Sequence, residues 1–358
     1  MNQHHTDAPI ITHYFDETVF ENPEDHETEH FRLKVTQEST GQLLQVESFT
    51  ENVSDGFCEA GCHIQQFAPY SHRINHNFDH AEPVVSCIIL LTFNCFFVQH
   101  FLIPSIISNT TVPYEIIIVY NGIATDLSLF KNFSVIESET GWVSKGYNKG
   151  VEAARGQYVA IFHDDCLITL NGWQQPMITA LISGAFAVST ESVHNPNLDI
   201  EFLKGTPLLI RKSDYEAIGG HDEFFFAGIE DLDFSYRIKL SGKNLQKTTI
   251  PYLHFNGMST VILLSGQPDV MRTLFGYCLI PSPVIERWKN KYMSSPSTRQ
   301  MMLSVHTENM NYLLHKVSAI ERADGSNAVH LLTYAQYPAL FNIRETYRNW
   351  LQQHFLKA

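Results

Sequence analysis

Through the middle of the chain, nearly continuous apolar runs alternate with mixed stretches of helical period. Val84–Leu91, Glu115–Val119 and Tyr158–Phe162 are the strongest runs. Runs of this length and β-branched content predict strands buried on both faces, as inside a parallel sheet. Shorter strands are predicted at Ser134–Glu137, Ala185–Ser189 and Pro207–Ile210. Helices are predicted from the residues after Asn94 to about Ser108, over Tyr147–Ala154, and from Glu230 to about Leu240, where Gly242 supplies the stop. Strands alternating with helices at this spacing predict an α/β fold with a doubly wound, mostly parallel sheet. Polar punctuation follows the strands at Thr92-Phe93-Asn94, Tyr120-Asn121-Gly122 and His163-Asp164-Asp165. Ligands of open α/β sheets bind beyond the carboxyl ends of the strands, so these three tips predict one cleft.

The pattern differs at both ends. Residues 1–30 contain acids such as Asp16, Glu17, Glu21 and Glu24 but no Lys or Arg, and read as an exposed acidic arm. Residues 31–37 and 42–49 alternate around Ser39-Thr40-Gly41, which predicts a hairpin. The Pro-, Asn- and His-containing stretch 69–83 reads as a linker. From about Val270 the pattern turns helical, with apolar stripes through Met302, Val305, Tyr312, Leu313, Val317 and Ile320, and through Leu340, Ile343, Tyr347, Trp350, Leu351 and Phe355. Such stripes face a core, here the rest of the chain or a second copy of it. The expected divisions are an N-terminal β-containing extension over 1–82, the α/β domain over 83–265, and a helical region over 266–358.

Composition narrows the functional classes. An apolar fraction of 44% with 12% aromatics belongs to a globular protein. The net charge of -14 argues against generic nucleic-acid binding, which needs a basic face to release counterions. The polar N-terminus and the interrupted apolar region 84–107 predict neither a signal peptide nor a transmembrane segment. Six scattered cysteines suit a reducing, cytoplasmic compartment. Cys58, Cys62 and His63 have metal-ligating side chains, but their spacing is not that of a standard zinc knuckle.

The chemistry concentrates after Phe162. Asp164 and Asp165 repel each other unless a cation or a set of donors offsets them. Oxygen-rich carboxylate sites suit Mg²⁺ or Mn²⁺, which also hold the oxygens of a diphosphate. The bland reading of the same residues is a polar turn ending a strand.

In order along the chain, VVSCIILLTFN, EIIIVYNG, GYNKGVEAARGQYVAIFHDD, LLIRKSDYEAIGGHDEFFFAGIEDLDFSYRIKLSG and HFNGMS resemble the GT-A-fold glycosyltransferases, specifically the large inverting family 2. The resemblance runs from about Val84 to Ser259. It implies transfer of a sugar from a nucleotide-diphosphate donor, most simply a UDP-sugar, to a hydroxyl of a glycan or other acceptor, with Mn²⁺ or Mg²⁺ as cofactor. It places Asp165 as metal ligand, with His163 and His254 as further candidates and Asp164 beside the donor. Thr92, Asn94 and Asn121 are placed at the base and ribose, and Lys145 and Asn148 at phosphate or sugar. Asp231 is the implied catalytic base, with Glu230 the alternative. Two positions depart from the family pattern. Tyr120 and Asn121 stand where a strand-end Asp is usual, and His163-Asp164-Asp165 replaces Asp-x-Asp.

Other readings remain at this point. Glu230 and Asp231 also fit simple stabilisation of a helix N-terminus, Asp233 fits a pairing role, and Phe224–Phe226 fit either an acceptor wall or core. A nucleotidyltransferase would carry a Gly-rich basic loop after the first strand, and a dinucleotide dehydrogenase Gly-x-Gly-x-x-Gly; neither is present. A non-catalytic sugar-nucleotide-binding module and a retaining transferase both stay open.

Overall fold

The computed structural model describes residues 10–21, 28–38, 43–52, 61–66, 82–92, 95–122, 127–139, 141–250, 252–254, 296–322 and 338–355. The N-terminal part is an antiparallel meander of β1 (Ile10–Glu21), β2 (Thr28–Glu38), β3 (Leu43–Asn52) and β4 (Gly61–Gln66). The β2–β3 hairpin is the one the alternation predicts, with Leu33 opposite Ser48. Within the acidic arm, Ile10–Glu21 pairs with β2 as a further strand. Its β-branched and aromatic residues outweigh the acids in that choice. The linker 69–83 lies almost wholly outside the described residues. So do Cys58 and the side chains of Cys62 and His63.

A seven-stranded sheet forms the centre. Its strands are β5 (Val85–Leu91), β6 (Tyr114–Tyr120), β7 (Ser134–Glu137), β8 (Tyr158–His163), β10 (Ala187–Ser189), β13 (Leu208–Arg211) and β14 (Leu245–Lys247). They lie in the order β14-β10-β13-β8-β5-β6-β7, and only β13 runs against its neighbours. Every residue of β5 is buried, as its unbroken apolar run requires. Alternate residues of that strand enter two separate cores. Cys87 and Ile89 face a layer containing Trp173 and Met177, while Ile88 and Leu90 face Tyr147, Val151, Phe234 and Ile238. The sheet is therefore covered on both sides.

Helices supply the two layers. The stretch after β5 comprises α1 (Cys95–Phe97), a π turn over Val98–Leu102, and α2 (Ile103–Asn109). On the opposite face lies α3 (Val143–Ala153), whose Gly146 and Gly150 allow close approach to the sheet. A Cβ at either would meet Leu90 Cδ1 or Ile88 Cγ2 at 2.5 Å. After α4 (Gln174–Ile182) and α5 (Lys212–Ala217) comes α6 (Glu230–Leu240), with acids in its first turn and Arg237 and Lys239 in its last.

Two long helices, α7 (Pro296–Arg322) and α8 (Pro338–Phe355), pack against the first core through Val305, Tyr312, Leu313, Val317, Tyr347 and Leu351. These six residues of the C-terminal stripes thus find apolar partners within the same chain. No helix among the described residues is long and apolar enough to cross a membrane.

Candidate active site

Three strand tips converge as the polar punctuation predicts. The Thr92 hydroxyl donates to Asn121 Oδ1 at 2.9 Å, and the Thr92 backbone N–H donates to Asp164 Oδ2 at the same distance. Asn121 is buried, and among the described residues its Nδ2 has no partner. A buried amide donor left in this state costs stability unless a ligand accepts from it. Asn94 lies outside the described residues.

The chain then folds back on itself to build the second half of the site. A short strand, β9 (Cys166–Ile168), follows the Asp164–Asp165 turn and pairs antiparallel with β15 (Tyr252–His254). That register sets His254 opposite Cys166, one residue from Asp165, although 89 positions separate His254 from Asp165 in sequence. His254 Nε2 lies 3.4 Å from Asp165 Oδ1, and its Nδ1 lies 3.7 Å from Glu191 Oε1. These are ion-pair separations rather than tight hydrogen bonds. Burial pushes the His254 pKa down, but Asp165 and Glu191 outweigh it and raise the pKa to about 9. Glu191 is drawn down to about 2 by His254 first, then by Tyr252 and Lys204 against the opposing effect of burial. Tyr252 donates its hydroxyl to Glu191, and Lys204 Nζ sits 3.2 Å from it.

His163 completes the group. Its Nε2 is 2.7 Å from the Tyr147 hydroxyl, and its backbone N–H donates to Thr206 Oγ1. Burial lowers its pKa to about 4, so the ring is neutral at pH 7. Ligating atoms of His163, Asp165 and His254 all lie within 4.8 Å of one another. Two imidazoles and a carboxylate suit Mn²⁺ better than Mg²⁺, which favours oxygen ligands. The donor set therefore fits a divalent transition metal.

The first turn of α6 brings the second pair of carboxylates. The Gly205 backbone N–H donates to Asp231 Oδ2 at 3.0 Å, and a Cβ on Gly205 would strike Asp231 Oδ1 at 2.6 Å. Glu230 is buried and Asp231 half-buried. Burial, then the charge of Asp231, raises Glu230 to about 8. Burial also raises Asp231, to about 6, moderated by the Gly205 N–H and the charges of Lys204 and His254. Just before them Ile229 has φ of 74°. A left-handed β-branched residue costs about 1–3 kcal/mol and persists only where its surroundings hold it.

Other expected residues lie in different company. Lys145 pairs with Glu139 and sits 4.9 Å from the Trp142 ring centre. Asn148 has both ends of its amide committed: Nδ2 to the His221 carbonyl and Glu223, Oδ1 to Tyr215 and the His221 N–H. It fastens the 220s loop to α3. Phe225 and Phe226 are core residues packed on Tyr312 and Tyr347. Asp233 pairs with Arg237 Nε at 2.8 Å and with Lys316 Nζ at 2.7 Å. Sequence reasoning passed over Tyr147, Glu191 and Lys204, which follow no motif and become visible only once β9 and β15 pair.

Residues 87–225 match the family described as Glycosyl transferase family 2. The central domain is a glycosyltransferase domain with a family-2-like GT-A fold. The matched stretch contains His163, Asp164 and Asp165 but ends before Glu230, Asp231 and His254. No curated protein matches the chain. Among solved structures, the mannosyltransferase PcManGT from Pyrobaculum calidifontis, in complex with GDP-Man and Mn²⁺, is 15% identical, with 77% of this chain and 86% of that one covered at a TM-score of 0.41. GalNAc-T7 with UDP, GalNAc and Mn²⁺ is 14% identical, with 59% and 54% covered at the same TM-score.

Proposed function

We propose that this chain transfers a sugar from a UDP-linked donor to an acceptor hydroxyl with inversion, assisted by a divalent cation, Mn²⁺ rather than Mg²⁺. The observation that carries this reading is the meeting of His163, Asp165 and His254 at the tips of the sheet, in a domain matching glycosyl transferase family 2. A cation bound there would neutralise charge on the departing diphosphate. Asp165 is the anionic ligand. His254 offers Nε2, with Glu191 behind its other nitrogen, the arrangement in which a carboxylate orients a ligating imidazole. Tyr147 engages Nε2 of His163, which leaves Nδ1 for a cation.

Thr92 and Asn121 hold the base. Thr92 occupies Asn121 Oδ1, so the free Nδ2–H is directed to a carbonyl of the base, such as one on uracil. Asp164 receives the Thr92 N–H and joins the base end of the cleft to the metal end. Asp231 takes the proton from the acceptor hydroxyl as that oxygen attacks. Burial raises both carboxyls and the charge of Asp231 opposes ionisation of Glu230, while the Gly205 N–H, Lys204 and His254 favour the ionised form of Asp231, so Asp231 is the member of the pair left to accept a proton. Cys87 and Cys166 are buried free thiols, which supports a reducing, cytoplasmic setting.

The test is Asp231→Asn, assayed for transfer to a panel of hydroxyl acceptors and for donor hydrolysis without them. Turnover should fall roughly 10²–10⁴-fold with little change in donor affinity, as expected when an interaction forms mainly in the transition state. Undiminished transfer would remove Asp231 from the role of base.

A further inference from the structure

One face of α7 grips the segment that carries Glu230 and Asp231. Asn309, Tyr312 and Lys316 recur at i, i+3 and i+7, so they share one side of the helix. All three are almost completely buried. Asn309 Nδ2 donates to the carbonyls of Ala227 at 2.7 Å and Gly228 at 3.2 Å, immediately before Ile229 with its positive φ. Tyr312 donates its hydroxyl to Asp222 Oδ2 at 2.9 Å. Lys316 Nζ bridges Asp222 Oδ2 at 2.5 Å and Asp233 Oδ1 at 2.7 Å. Arg237 closes the network, holding Asp233 from the other side and donating to the carbonyls of Ile218 and Gly220. The charges balance within this group, two carboxylates against a lysine and an arginine.

We infer that Asn309 and Lys316 are positioning residues for transfer, fixing the entry to α6 and hence where Glu230 and Asp231 stand in the cleft. Both lie outside the stretch that matches the family, so this chain's C-terminal helix is part of its catalytic unit. The physical reason is local. A β-branched residue in the left-handed region returns to ordinary backbone unless its neighbours are fixed. Here the two preceding carbonyls are held by Asn309 and the carboxylate three residues into α6 by Lys316. Releasing either hold lets the first turn of α6 shift, and displacing a catalytic group by an ångström costs roughly 100-fold in rate. The donor half of the site is built on β5, β6 and β8, away from these hydrogen bonds, and should keep its geometry.

The catalytic consequence rests on the function proposed above, so the experiment has two arms. In the full chain, Asn309→Ala and Lys316→Arg are compared with the parent by amide hydrogen exchange and by kinetics, well below their melting temperatures. Exchange should quicken over residues 227–233 in Asn309→Ala and stay unchanged in β5 and β8. Turnover in Asn309→Ala should fall roughly 100-fold, with the KM for donor within about two-fold of the parent. Lys316→Arg keeps the bridging charge and should retain most of the turnover. Unchanged exchange at 227–233, or a loss of turnover matched by loss of donor affinity, would overturn the inference. If the parent itself neither transfers nor hydrolyses a nucleotide sugar, the functional reading falls, and the exchange arm still decides whether α7 holds α6.

Discussion

Helix α6 carries buried charge on two sides, and the two sides are balanced differently. Asp233 faces Lys316 and Arg237, while Asp231, two residues earlier and about 200° around the helix, faces Lys204 and His254. The first side is closed: Asp222 and Asp233 meet a lysine and an arginine, all at most 5% exposed. Among the described residues the second contains Asp164, Asp165, Glu191, Glu230 and Asp231, with Lys204 and a protonated His254 as the cations. The pKa values register the contrast. Burial raises both Asp233 and Glu230, but Lys316 and Arg237 pull Asp233 back below its ordinary value, and nothing comparable does so for Glu230. A carboxylate cluster without matching fixed cations is costly to maintain and is the kind of place where a protein takes a cation from solution.

Removing a fixed cation is the most direct way to break the closed side. Lys316→Met leaves Asp233 with Arg237 and Asp222 with the Tyr312 hydroxyl and the Phe224 N–H in place of a cation, and should cost about 3–5 kcal/mol, measured by chemical denaturation. Asp165→Ala, made in the open cluster, should cost far less. Equal losses would mean that the two sides are not energetically distinct.

Neutralising a carboxylate sharpens the other side. Glu230 binds its proton more tightly folded than unfolded, so its contribution to stability is full below pH 4.5 and is lost as the pH rises through about 8. Glu230→Gln should match the parent near pH 4 and gain at pH 8, by roughly 1 kcal/mol or more, seen as about 2–4 °C or more in the melting temperature. A gain confined to acid pH would contradict the assignment. Asp233 has the opposite sign. Its depressed pKa makes its contribution full above the ordinary value of 3.8 and lost as the pH falls through the lower folded value. The parent should therefore lose more stability between pH 5 and pH 2 than Asp233→Asn does over the same range.

The closed side was the less legible of the two in the sequence. The strands announced themselves: Ser134–Glu137 forms where its pattern predicts, and Val84–Leu91 and Tyr158–Phe162 shift by a single residue at an end. The three polar tips were visible because each interrupts an apolar run. His254 and Asp231 came from resemblance to family motifs, since no local pattern says that β15 pairs with β9. Glu191 and Lys204 were hidden for the same reason. Lys316 sits between Leu313 and Val317 on an apolar stripe and reads as a solvated neighbour, yet Val305, Asn309, Tyr312 and Lys316 share one helical face. That periodicity was available, but its meaning depends on Asp222 and Asp233 meeting it from 94 and 83 residues away. The strand at Ile10–Glu21 went unread in the acidic arm, because charge concealed its β-forming residues.

The most direct measurement is calorimetric titration of Mn²⁺ into the full chain with UDP present, run on the parent and on Asp165→Ala at pH 7.5. The open cluster predicts that the parent binds Mn²⁺ and that its UDP affinity rises with the metal. Asp165→Ala, folded as judged by its melting curve, should lose both. If Asp165→Ala binds Mn²⁺ and UDP as the parent does, His163, Asp165 and His254 are not the metal site, and the contrast between the two sides of α6 has no catalytic meaning.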